Sequence, residues 1–210
     1  MNTKWKNEIL LNQFNIEPKT IFTEYCSEIG IHFQNKGFKY FKSRPRIEKQ
    51  FGDFVICINF WSSRVNEINE TVWMEILPSI KSKSLKKWIK KYGVGRNEFI
   101  FALRNKQLRN LSIFGHELKD FQCLMSKIET VLISQLEAFE IALRTPKDLI
   151  DKYGIENETT GIIPDNFLAY ICMTNPGLAD SAIEKFGKRI EKSRLLEYEK
   201  WKKASREQRL

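Results

Sequence analysis

Apolar residues recur along this chain at two spacings, and those spacings divide it into strands and helices. The most regular stretch is 51–61, FGDFVICINFW, where Phe54, Ile56, Ile58 and Phe60 fall on every second position. In an extended chain these four side chains share one face, so the segment predicts a buried strand. Its other face carries Asp53, Val55, Cys57, Asn59 and Trp61, a mixture suited either to cover by protein or to a groove. Further strands are expected at 38–42, 71–77, 97–103 and 111–114. In the stretch 71–77, Val72, Met74 and Ile76 form the apolar face, opposite Thr71, Trp73, Glu75 and Leu77. A short polar link joins it to 51–61, which predicts antiparallel neighbours. A sheet with one apolar face calls for helices on that face.

Helical spacing supplies them. Phe22, Tyr25, Ile29 and Phe33 recur every three or four residues after Pro18, and Lys36-Gly37-Phe38 reads as a helix-to-strand joint. Before them, Trp5, Ile9 and Leu10 suggest a short amphipathic helix or docking arm. The segment 84–92 predicts a short helix capped by Ser84 and closed by Gly93, with Leu85, Trp88, Ile89 and Tyr92 turned inward. From 118 to 143, Leu118, Phe121, Met125, Ile128, Leu132, Leu136, Phe139 and Leu143 mark a long helix expected to roof the sheet. After Thr145-Pro146 come a short helix to Gly154, a polar loop at 156–161 and helical turns around Phe167, Leu168, Ile171 and Cys172. Beyond the turn Asn175-Pro176-Gly177, a last helix over 178–205 has Ile183, Phe186 and Ile190 inside. Its lysine-rich end, with Tyr198 and Trp201, is expected to project. The fold class is therefore α+β: an antiparallel sheet of four or five strands, an N-terminal helix, and a C-terminal helical half packed on the sheet. The expected organisation is a sheet-containing region 1–115 and a helical region 116–210 within one compact domain.

Composition agrees with a packed core. The chain has 210 residues, 42% hydrophobic and 12% aromatic, enough to bury a core without metal or disulfide support. No apolar run approaches the roughly 18 to 20 residues that cross a bilayer, and the first residues lack the apolar core of a secretion signal. A cytoplasmic protein with no membrane partner is the expectation. Cys26, Cys57, Cys123 and Cys172 are far apart and read as reduced, buried small hydrophobes, not as metal ligands.

Charge changes the picture more. Between Lys81 and Arg109 the chain holds ten basic side chains and a single acid, Glu98, so this stretch carries the entire formal excess of +9. Lys86, Lys87, Lys90 and Lys91 fall on adjacent helical turns, with Arg96 beyond them. They read either as a solvated face or as a surface for a polyanion. Trp88 and Tyr92 interleave with the lysines, but at a four-residue spacing they are the helix's buried anchors. A second candidate is the mixed sheet face, where Asn59, Trp61, Trp73 and Glu75 gather if their strands are neighbours; a carboxylate beside two indoles suits a small binding site or a partner hot spot. Cover by a further layer is the alternative.

Catalytic signatures are absent. His32 and His116 are the only histidines, and neither has a second histidine at ligand spacing. His32 reads as a boundary residue and His116 as a cap or loop residue. Tyr92-Gly93-Val94-Gly95-Arg96 superficially suits phosphate, but a glycine after a helix is first of all its C-cap. No cofactor, metal site or catalytic residue is expected.

The order amphipathic helix, Lys36-Gly37-Phe38, basic strand and long strand ending Asn59-Phe60-Trp61-Ser62-Ser63 resembles a bacterial domain family of unknown function, over roughly residues 21–103. Some relatives of such domains look like immunity proteins, which bind and block a toxin, and the resemblance supplies no catalytic residues. The expected function is a non-catalytic binding or regulatory protein that takes an acidic protein on the 81–109 surface. The alternatives are nucleic-acid binding by that segment and an enzyme with a site near Glu75.

Overall fold

Helix α1 (Glu8–Leu11) is a single turn, and α2 (Pro18–Gln34) begins with Pro18, whose missing N–H and fixed φ suit a first turn. The residues at helical spacing in α2, among them Phe22, Tyr25, Ile29 and Phe33, are all buried. The joint behind it forms as its sequence requires. Gly37 takes φ +81° and Phe38 folds back, its N–H donating to Phe33 O at 3.3 Å with the two rings 5.9 Å apart.

The computed structural model describes residues 5–93, 98–102, 109–147, 150, 164–186 and 192–207. Among these residues six strands form one sheet: β1 (Lys39–Phe41), β2 (Arg46–Phe51), β3 (Phe54–Ser62), β4 (Trp73–Ser82), β5 (Phe99–Ala102) and β6 (Leu111–Ser112). Their order is β1-β2-β3-β4-β5, with β6 also paired to β4. The registers are antiparallel, Tyr40 opposite Ile47, Ile80 opposite Phe101 and Trp73 opposite Ser112. The stretch 51–61 is not the single strand expected, because Phe51 ends β2 and the chain reverses at Gly52-Asp53, where Gly52 takes φ +55°. β2 escapes the periodicity because Arg46–Phe51 contains only one fully buried side chain, Ile47. β4 is likewise longer than expected and runs through Pro78, which falls outside its pairings with β5 and β6.

Contacts divide the chain into two compact units: residues 1–50, 56–78 and 105–136, and residues 51–55, 79–104 and 137–210. In the first unit α2 lies so close to β1 that a Cβ on Gly30 would sit 2.6 Å from Tyr40 Cγ. Trp5 is buried; its ring meets Phe121 at 4.9 Å, and Tyr25 meets Phe121 at 5.4 Å. Phe121 belongs to the long helix, which is α4 (Leu118–Lys127), a π-helical segment Ile128–Ile133 and α5 (Ser134–Leu143) in succession. In this unit the helix therefore covers the cluster of Trp5 and Tyr25.

In the second unit, Phe139 of α5 packs on Phe101 of β5, with ring centroids 4.0 Å apart. Helix α6 (Pro164–Thr174) is buried at every residue from Asn166 to Cys172, and Asn166 Nδ2 donates to Phe99 O at 2.7 Å. A helix buried all round belongs at the centre of a core. After a 3₁₀ turn (Pro176–Leu178) and α7 (Ala179–Phe186), α8 (Lys192–Glu207) docks on α6. Its end does not project. Trp201 is 1% exposed, Ser205 Oγ donates to Cys172 O at 2.5 Å, and Tyr198 OH donates to Asp180 Oδ1 at 2.7 Å. The cysteine expectation also needs one correction: Cys26, Cys57 and Cys172 are buried, but Cys123 is exposed on α4. Most of the short helix expected up to Gly154, and the whole polar loop 156–161, lie outside the described residues. Among those described, no helix is long and apolar enough to cross a membrane.

Glycine to alanine inside a helix ordinarily stabilises by about 1 kcal/mol. At Gly30 the sign reverses, because the new methyl group meets the Tyr40 side chain. We expect Gly30→Ala to lower stability by about 1–3 kcal/mol, read as a shift of the urea midpoint at unchanged m-value.

Candidate functional site

Helix α3 (Lys83–Tyr92) starts where two hydroxyls and a carboxylate meet. Its N-cap is Ser82, not Ser84: Ser82 Oγ accepts from Leu85 N–H at 3.0 Å. The turn residue Asp53 then holds the whole first turn. Its carbonyl accepts from Lys83 N–H at 3.0 Å, Oδ1 from Ser84 N–H at 2.8 Å, and Oδ2 from the Ser82 and Ser84 hydroxyls at 2.5 and 2.7 Å. A carboxylate here also meets the positive end of the helix dipole. The far end closes at Gly93, with φ +64° and its N–H on Ile89 O.

Between these ends the side chains sort by angle. Leu85 and Trp88 are buried and Ile89 and Tyr92 half-buried, which fixes one side of α3 inward. At about 100° per residue, Lys83, Lys86, Lys87, Lys90 and Lys91 then share an arc of roughly 140° on the other side. All five are exposed. Lys86 Nζ lies 3.2 Å from Glu98 Oε1, a pair weakened by the 68% exposure of the lysine side chain. Among the described residues no carboxylate pairs with Lys87, Lys90 or Lys91. Lys91 Nζ sits 4.8 Å from the centre of the Tyr92 ring. Where the lysine arc meets the apolar side, a cleft of about 230 Å³ is lined by Ser84, Lys87, Trp88, Lys91, Tyr92 and Met173. Arg96 lies outside the described residues.

The mixed sheet face is in the first unit. Asn59 and Trp61 stand on β3, Trp73 and Glu75 on β4, all on odd-numbered positions of neighbouring strands. Trp61 is 49% exposed and the other three are half-buried. Trp73 is fixed by its backbone N–H, which donates to Asn66 Oδ1 at 2.8 Å. Towards β1 the surface is knitted by its own charges: Arg46 Nε meets Glu48 Oε1 at 2.9 Å, and its guanidinium stacks 4.2 Å over the Phe41 ring.

A third feature is invisible in the sequence because its parts are far apart. His116 Nδ1 lies 2.9 Å from Tyr25 OH, and the His116 carbonyl accepts from Trp5 Nε1 at 3.1 Å. His116 lines a groove of about 530 Å³ with Trp5, Leu10, Gln13, Phe14 and Phe114. Gln13 bridges it, Oε1 accepting from Gly115 N–H at 3.0 Å. Burial lowers the His116 pKa from its ordinary value of 6.5, with Asp120 opposing, and burial raises that of Tyr25. His32, exposed and beside Phe33, is also lowered, first by burial of part of its ring.

No family model, curated protein or solved structure matches this chain.

Two outcomes follow from this geometry. Asp53→Ala removes acceptors for three donors at the start of α3, and we expect it to cost about 1–3 kcal/mol in urea unfolding. His116 stays neutral in the folded chain at pH values where the unfolded chain takes up a proton. Stability from this residue is therefore fully present well above pH 6.5 and falls as pH drops through that value. In thermal melts between about pH 7.5 and 5, His116→Asn, which keeps a partner for Tyr25 OH, is expected to lose less stability than the parent.

Proposed function

We propose that this chain is a non-catalytic binding protein that takes an acidic segment of another protein on the lysine face of α3, acting in the cytoplasm as an immunity-type or regulatory partner. The observation that carries this reading is the arc of Lys87, Lys90 and Lys91, unpaired among the described residues on a helix anchored at both ends. Like charges on adjacent turns repel one another, so an anionic partner relieves a cost that the free protein bears. Lysine ammoniums on long stems adapt to carboxylates whose positions vary.

Nucleic acid is the second reading, since phosphates would satisfy the same charges. Single strands also call for exposed ring faces on which bases stack, and Trp88 in this helix is only 4% exposed. The mixed face around Glu75, with Asn59, Trp61 and Trp73, belongs to an enzymatic reading centred on that half-buried carboxylate.

A pull-down from native lysate, with and without nuclease treatment, tests the choice, comparing the parent with the combined Lys86→Glu, Lys87→Glu, Lys90→Glu and Lys91→Glu variant. We expect the parent to retain a protein partner that elutes over roughly 0.1–0.5 M salt, and the variant to lose it. Equal recovery by both proteins contradicts the proposal, and retention abolished by nuclease favours nucleic acid.

A further inference from the structure

The lysine arc alone describes attraction without an address. The cleft at its edge adds one. Tyr40 OH, Trp88 Nε1, Tyr92 OH and Trp201 Nε1 are buried side-chain polar atoms with no hydrogen-bond partner among the described residues, and of these Trp88 and Tyr92 line this cleft together. Buried donors are nearly always satisfied, because one left open has lost its water and gained nothing in exchange. Here two stand four residues apart on one helix, with ring centroids 5.8 Å apart. Beside them on the same wall are the Lys87 and Lys91 side chains and Ser84, with Met173 of α6 completing the lining. Every polar side chain named is able to donate, and among the described residues no acid lines the cleft.

We propose that this cleft is an anchor pocket for one carboxylate, the glutamate or aspartate side chain of an acidic protein segment, with Trp88 Nε1–H and Tyr92 O–H as directional donors and Lys87 and Lys91 as counter-charges. This rests on the binding function proposed above and names the group that its lysine face takes. A carboxylate matches in three respects. It accepts only, it offers about four lone-pair sites to the donors present, and it comes on a stem thin enough for apolar walls of Trp88, Tyr92 and Met173. Low dielectric strengthens the two neutral donors when an ion enters. Lys91, held over the Tyr92 ring, stays at the rim, where it steers the approaching acid.

Tyr92→Phe isolates the directional donor, because it deletes one hydroxyl and no charge. The probe is an octaglutamate peptide, titrated calorimetrically at low salt against parent, Tyr92→Phe and the four-lysine-to-glutamate variant, with octaglutamine and a short thymidine strand as controls. The expected result is that Tyr92→Phe binds octaglutamate about 5- to 10-fold more weakly while its melting temperature is unchanged or higher, since an unsatisfied buried hydroxyl has been removed. A purely structural role for Tyr92 would lower the melting temperature instead. If Tyr92→Phe binds as the parent does and the lysine variant does not, the anchor pocket is overturned and the lysine face stands. If the lysine variant also binds normally, or the parent fails to distinguish octaglutamate from octaglutamine, both fall. Binding of the thymidine strand with the same sensitivity to Tyr92→Phe overturns the assignment to a carboxylate.

Discussion

The carboxylate of Asp53 decides where α3 begins and therefore where its lysines point. A ten-residue helix is marginal in water by itself, so its direction has to come from its ends and its buried side. The reversal at Gly52-Asp53 places one aspartate against three consecutive residues, Ser82, Lys83 and Ser84, and engages the donors of all three. Leu85 and Trp88 then fix the rotation of the helix about its axis. Lys90 and Lys91 stand in its last turn, where cations complement the carbonyl end. The charges available to a partner thus also stabilise the helix that presents them.

Each unit has its own aromatic organisation. In the first, the Trp5 and Tyr25 rings each meet Phe121 edge to face, and Trp5 Nε1 and Tyr25 OH both find partners on His116, so the cluster is satisfied at its polar rim. In the second, α6 packs with α8 and meets the start of β3 through Tyr170 and Phe54, whose ring centroids are 5.7 Å apart. The contrast lies in the polar ends of the rings. Trp88 and Tyr92 lack, among the described residues, the partners that Trp5 and Tyr25 possess, and it is beside those unsatisfied atoms that the lysines gather.

Residue spacing carried much of this architecture. Pro18, the stripe from Phe22 to Phe33 and the Gly37-Phe38 reversal needed only local rules, because steric limits on φ and one apolar face settle them. β2 was missed since one buried isoleucine among polar residues leaves no period to detect, and Gly52 inside an apolar run reads equally as strand. Ser82 and Ser84 are both acceptable N-caps by type; the bond from Leu85 N–H to Ser82 Oγ decides between them, and Asp53, 29 residues before Ser82, holds both hydroxyls. Tyr198 and Trp201 look ragged along α8 because their surroundings, Asp180 and the core around α6, come from elsewhere in the chain. For the candidate site, the lysine arc was legible as a pattern, whereas Met173 and the unpaired ring donors belong to tertiary structure and have no local signal.

Lysine acetylation read residue by residue in a mass spectrometer, with and without bound octaglutamate, tests most directly whether α3 presents its lysines to an acidic partner. Lys87, Lys90 and Lys91 are expected to become protected, while Lys6 and Lys19, exposed in the first unit, react at unchanged rates. Protection spread evenly over all lysines, or concentrated away from α3, would contradict it.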